Sequence, residues 1–96
     1  MTTQGKRLKN IRVSLNLTQE QFGAKLGISK QFYSNIETDR TMLNNEKLVL
    51  LFNDYNVNLN YLIGGIGKMF NLENNLPDDE LTLKVRKILK KEGIIN

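Results

Sequence analysis

Gln31 and Asn35, four residues apart in the stretch SKQFYSNIET, are the side chains best suited to specific chemistry in this chain. Each is a carboxamide with one acceptor and two donors, the combination that meets the adenine edge in a bidentate contact. Four residues make about one helical turn, so on a helix both amides leave the same face. Lys30 beside them either reads guanine O6/N7 or holds a phosphate, and Ser29 and Ser34 are adaptable hydroxyl partners. Phe32, on the outer side, either packs on thymine methyls or covers the edge of the first helix. This is the chemistry of recognition, not of turnover. The chain has no histidine and no cysteine, which removes the usual general base, the thiol nucleophile, disulfides and the commonest zinc ligand sets. No catalytic residue, metal or cofactor is expected.

A helix must present that face, and Leu17–Thr38 (LTQEQFGAKLGISKQFYSNIET) supplies it as the second of two short helices joined by a tight turn. Thr18 with Gln21 three residues on forms a capping box, and Leu17 with Phe22 forms a hydrophobic staple. Phe22 and Leu26 share a buried face while Gln19, Glu20 and Lys25 point outward. Gly27 stops this helix where a left-handed residue is needed. Ser29 caps the next helix and Ile28 with Tyr33 repeats the staple. Ile36 continues the inner face, which leaves Lys30, Gln31, Ser34, Asn35 and Thr38 outside. Small domains use this pairing to lay a helix in the major groove of DNA.

The rest of the chain reads as support. A first helix over Gln4 to Leu15 buries Leu8, Ile11 and Leu15, with Asn16 as a left-handed cap. Asn44 to Tyr55 forms a fourth, stapled by Leu43 and Leu48, with Leu48, Leu51, Phe52 and Tyr55 inward; these aromatics suit a plain core better than a cofactor pocket. Asn58 to Ile63 is a short fifth, with Val57 and Leu62 as its staple. Gly64-Gly65-Ile66-Gly67 lacks the ending of a phosphate loop and no strand precedes it, so it reads as a helix stop and linker. Lys68–Leu76 is either extended or irregular. Pro77 opens a final helix, with Asp78, Asp79 and Glu80 in its first turn and Lys87, Lys90 and Lys91 near its end. Its stripe Leu81, Val85, Ile88 and Leu89 must bury on its own domain or on a second copy, and dimerisation is favoured. The organisation expected is a domain over 1–65, a linker over 66–76 and an amphipathic helix over 77–96.

The net charge of +4 is unevenly placed. Residues 1–43 carry seven Lys/Arg against three acids, 44–77 two against three, and 78–96 five against four. The whole excess lies on the half with the paired helices, where a basic surface favours a polyanion by counterion release; a merely solvated surface is the plainer reading. The N-terminus (MTTQGKRLKN) has no apolar leader and no run reaches membrane-spanning length, so a soluble cytoplasmic protein is expected. A chain ending GIIN just past a helix is either natural or cut before a sensor domain.

Residues 17–38 resemble the helix-turn-helix of the phage-repressor (Cro/CI, XRE-like) family. Gln19 stands where that family often has a glutamine, Gly27 at its turn glycine, and Ile36-Glu37 is similar to its apolar-glutamate pair. The likeness runs from helix one to Gly64 and leaves the last third uncovered. Gly23 replaces the usual alanine, Tyr33 the usual aliphatic residue, and the proline common before the fourth helix is missing from Thr41-Met42-Leu43. The resemblance implies an all-α, lambda-repressor-like five-helix domain, here with an additional C-terminal helix. It implies an Arg12–Glu37 ion pair that ties helix one to the recognition helix and aims Arg12 at a phosphate, a purely structural bridge being the alternative. It also implies phosphate contacts from Gln19, Arg40, Thr41 and Lys6 or Arg7, and a dimer contact through Tyr61, Leu62 and Ile63. It places Ser29, Lys30, Gln31, Ser34 and Asn35 at base edges; the residues alone do not show contact.

The function implied is that of a homodimeric regulator reading a palindromic site in double-stranded DNA, with repression the usual outcome in the family and activation the alternative. The competing class is an interaction module, such as an antitoxin whose C-terminal helix grips a partner protein and orders with it. No nucleophile-base constellation supports an enzyme. The exposed aromatic platforms of single-strand RNA readers are also absent.

Overall fold

Each helix starts at a side chain that satisfies free backbone N–H groups. The structure, a computed structural model, describes residues 2–71. In it α1 spans Gln4–Ser14, α2 Gln19–Lys25, α3 Lys30–Glu37, α4 Asn45–Tyr55 and α5 Leu59–Gly64. Thr3 accepts from Lys6 N at 3.2 Å, Ser29 from Phe32 N at 3.1 Å, Asn44 from Lys47 N at 2.9 Å and Asn58 from Asn60 N at 3.0 Å. Thr18 and Gln21 form the full box: Gln21 N donates to Thr18 Oγ1 at 3.0 Å and Thr18 N to Gln21 Oε1 at 2.9 Å. Such caps contribute about 1 kcal/mol each. The all-α, five-helix architecture is the one expected, with helix boundaries within one residue.

Between helices the chain turns through left-handed residues. Asn16 has φ 59° after α1, Gly27 φ 77° between α2 and α3, and Asn56 φ 58° after α4. At Gly27 the absence of a Cβ makes that conformation cheap, and the turn sends α3 across α2.

Phe22 is the centre of the core. Its ring meets Tyr33 edge-on (centroids 5.6 Å, 65° between planes) and Tyr55 likewise (5.5 Å, 85°). Leu8 and Ile11 of α1, Leu26 of α2, Ile36 of α3, Leu51 of α4 and Leu62 of α5 close around it, all buried. Burying each of these aliphatic side chains contributes about 1.5–3 kcal/mol before ordering costs.

Two expectations change. Phe52 does not point inward but is 49% exposed. Leu51 takes the core position, flanked by Leu48 and Tyr55 at −3 and +4, and a residue adjacent to Leu51 is rotated about 100° away. Residues 66–71, read as the start of a linker, turn back on the domain. Asn58 N donates to Met69 O and Asn71 N to Asn56 O, both at 2.9 Å, making an isolated antiparallel bridge between Val57 and Phe70. Met69 and Phe70 pack against the core. The helix expected from Pro77, with Leu81, Val85, Ile88 and Leu89, lies outside the described residues, as does the rest of the linker.

Candidate nucleic-acid interface

The outer face of α3 carries the polar set. Lys30 and Gln31 are exposed, and Ser34 and Asn35 are half-buried. Gln31 Nε2 donates to Asn35 Oδ1 at 3.1 Å, so the two amides hold each other one turn apart while Gln31 Oε1 and the Asn35 amino group remain without a partner among the described residues. Ser29 Oγ accepts from Phe32 N in the helix cap and keeps its O–H donor, and the Ser34 carbonyl accepts from Thr38 Oγ1. Phe32 is 43% exposed beside them.

Behind that face, α1, α2 and α3 meet at one carboxylate. Arg12 Nε donates to Glu37 Oε2 at 2.7 Å and Nη2 to Oε1 at 3.3 Å, while Nη1 donates to Leu17 O at 2.9 Å. Gln19 Nε2 donates to Glu37 Oε1 at 2.9 Å. The paired side chains are only 12% and 4% exposed. Burial works against the charged form of Glu37, but the Arg12 and Gln19 donors outweigh it and hold the carboxyl below its ordinary value. The hydrogen bond to Glu37 raises Arg12 above the arginine value.

Tyr33 reaches this pair from the core, and its hydroxyl is buried without a hydrogen-bond partner. Burial first, and then the Glu37 carboxylate, push its pKa above the ordinary tyrosine range. Removing a buried hydroxyl that lacks a partner relieves a desolvation cost. Tyr33→Phe is therefore expected to keep the melting temperature or raise stability by about 1 kcal/mol. A clear loss on thermal melting would mean that the hydroxyl donates to Glu37.

The residues expected at phosphates are spread over three places. Arg12 and Gln19 sit at the carboxylate just described, each with further N–H groups beyond those bonds. Arg40 is exposed and Thr41 half-buried in the loop after α3. That loop is drawn onto α3 by Arg40 N and Thr41 N, which donate to Asn35 O at 2.8 and 3.4 Å. Lys6 is exposed on the first turn of α1.

Arg7 cannot serve at a phosphate. It is buried, and it donates through Nε to Leu62 O at 3.0 Å and through Nη2 to Ile63 O at 3.1 Å, with Nη1 on Thr2. It thus clamps the carbonyl end of α5, where a cation is favoured. Leu62 is likewise no dimer contact, because it is fully buried in the core. Its neighbours differ: Ile63 is 49% exposed, and the half-buried Tyr61 accepts from Asn10 Nδ2 at 3.2 Å. Asp39 was not singled out from the sequence. It adopts φ 63° just past α3, and its Oδ1 accepts from Gly5 N at 3.0 Å, joining the end of α3 to the start of α1. An aspartate directly after a helix is the local signal, since Asp tolerates that conformation.

Leu15, Tyr55, Asn56, Phe70 and Asn71 line an open groove of about 290 Å³. Burial, and then Asp54, raise the Tyr55 pKa. Among the described residues no His/Cys/Asp/Glu group is arranged to hold a metal ion, and no helix is long and apolar enough to cross a membrane.

Comparison with known proteins points to the same helices. Residues 8–62 match the helix-turn-helix family. The chain is 40% identical over 60 residues to the HTH-type transcriptional regulator ImmR of Bacillus subtilis, covering 62% of this chain and 47% of that protein. It is 36% identical over 58 residues to the uncharacterized HTH-type transcriptional regulator YobD of the same organism (60% and 52%). It is 33% identical over 89 residues to the antitoxin PezA of Streptococcus pneumoniae, across 93% of this chain and 53% of that protein. The chain spans about half the length of these curated relatives. No solved structure matches it significantly. With two capped helices crossing at Gly27 and the family match running from α1 into α5, this chain belongs to the Cro/CI-type helix-turn-helix family of DNA-binding proteins.

Proposed function

We propose that this protein is a sequence-specific regulator of transcription that binds double-stranded DNA as a homodimer and represses from a palindromic operator. The observation that carries the reading is the exposed polar face of α3, with Gln31 and Asn35 held one turn apart on a helix anchored from behind by Arg12 and Gln19 through Glu37. Anchoring matters because base reading needs side chains placed on a rigid element. Ser29, Lys30, Gln31, Ser34 and Asn35 read bases, while Gln19, Arg12, Arg40, Thr41 and Lys6 position the backbone. The dimer contact falls to Tyr61 and Ile63 and to the stripe Leu81, Val85, Ile88 and Leu89.

Selection from random duplex DNA at near-physiological salt tests this. A palindrome with half-sites about one helical turn apart is the expected product; binding without an enriched sequence would refute it. On the selected site Gln31→Ala should cost about 1–3 kcal/mol and relax preference at one base pair. Arg40→Ala should weaken all duplexes alike and reduce the salt slope by about one. Equal losses on selected and random DNA for both variants would remove the division of roles.

A second reading has one observation in its favour. The likeness to the antitoxin PezA extends over 89 residues of this chain, beyond the motif. In that case the segment 77–96 binds a partner protein and DNA binding is secondary.

A further inference from the structure

The turn into α3 carries a cation that the DNA-facing set above leaves out. Lys47 belongs to the first turn of α4, twenty residues from Gly27 in sequence. Yet its Nζ stands 3.6 Å from the point where a Cβ on Gly27 would lie. The backbone N–H of Lys47 is held by the Asn44 cap at 2.9 Å, and its side chain is half-buried, so the stem lies on the protein while the ammonium reaches the turn. The ion pair found among the described residues is Arg12–Glu37; Lys47 has no acidic partner there. Lys25 and Lys30 bracket the same turn in sequence.

We propose that Lys47 is a phosphate-positioning residue, reaching from α4 across the α2–α3 turn to neutralise one phosphate beside the N-terminal end of α3. The inference rests on the DNA-binding reading above. A helix that enters the major groove by its N-terminal end carries the preceding turn to the sugar-phosphate strand bordering that groove. An ammonium is a compact charge without the fork of a guanidinium. Lys47 therefore supplies affinity and salt dependence, not base preference.

The test is the salt dependence of binding to a fluorescent mixed-sequence duplex of about two helical turns, between about 50 and 200 mM salt. The full chain is compared with Lys47→Gln, Lys47→Met, Lys47→Arg and the charge-matched control Lys68→Gln. Lys47→Gln and Lys47→Met should each lower the slope of log affinity against log salt by about 0.9, so the parent loses roughly threefold more affinity over this range than they do. Lys47→Arg and Lys68→Gln should keep the parent slope, and all four should melt with the parent. A parent-like slope in both neutral Lys47 variants overturns the assignment, and so does an equal drop in Lys68→Gln. Absence of salt-sensitive binding by the parent overturns the DNA-binding reading and this inference with it.

Discussion

Arg12→Ala is expected to lower the unfolding free energy by about 3–5 kcal/mol, because it strands a buried carboxylate. Glu37 is 4% exposed in its side chain and would keep only the Gln19 donor. In a domain of this size that loss lowers the melting temperature by more than about 10 °C. The pair itself is not the source of the whole figure, since desolvation offsets most of what two opposite charges gain when buried. The double variant Arg12→Met/Glu37→Leu should therefore recover most of the stability while losing DNA affinity, and a double variant no better than Arg12→Ala would show that the site needs charge. The acid limb of the stability profile carries the same information. The folded carboxyl titrates below its ordinary value, so between those two pH values the unfolded chain holds more protons and stability rises with pH. The contribution is complete above about pH 4.3, the ordinary glutamate value, and is lost as pH falls through the lower folded value. Glu37→Gln should flatten that limb in melts recorded across the window; an unchanged limb would assign it to another carboxylate.

Gly5→Ala is expected to destabilise by about 1–3 kcal/mol, although alanine is the better helix former. A Cβ at this position would stand 2.5 Å from Glu37 O, 2.6 Å from Ile36 O and 2.7 Å from Asp39 Oδ1. Two of these are backbone carbonyls at the end of α3 and cannot swing aside. The helix gains up to about 1 kcal/mol from the exchange, overpacking costs about 1–3, and displacing the Gly5 N–Asp39 bond costs about 1 more. Asp39→Ala removes the bond alone and should cost about 1 kcal/mol. Chemical denaturation of the two variants separates the terms. A Gly5→Ala protein as stable as the parent would mean that α1 shifts away from α3 at little cost, and DNA affinity would then report whether the shift disturbs the recognition helix.

What could be read from the residues was local. Thr18, Ser29, Asn44 and Asn58 announce helix starts because a cap bonds within three residues of itself, and Gly27 and Asn16 announce ends because a left-handed turn is a property of one residue. The polar face of α3 follows from period alone, as Tyr33 and Ile36 fill the opposite side. The resemblance added that Arg12 and Glu37 pair, which no periodicity shows. Side chains that reach between elements were not legible. Arg7 and Lys6 are adjacent and both cationic, yet one is buried against α5 carbonyls and the other is exposed. Phe52 and Leu62 both suit an apolar stripe, yet Phe52 faces solvent and Leu62 fills the core. Lys47 is an ordinary helix lysine until its ammonium is found at a turn twenty residues away. Caps and apolar periods already specify the five helices and the face of α3 that carries the amides, because both act over one or two turns. The tertiary structure alone decided which cations are used up inside the domain and which remain for a partner, because that depends on contacts between residues twenty to fifty-five positions apart.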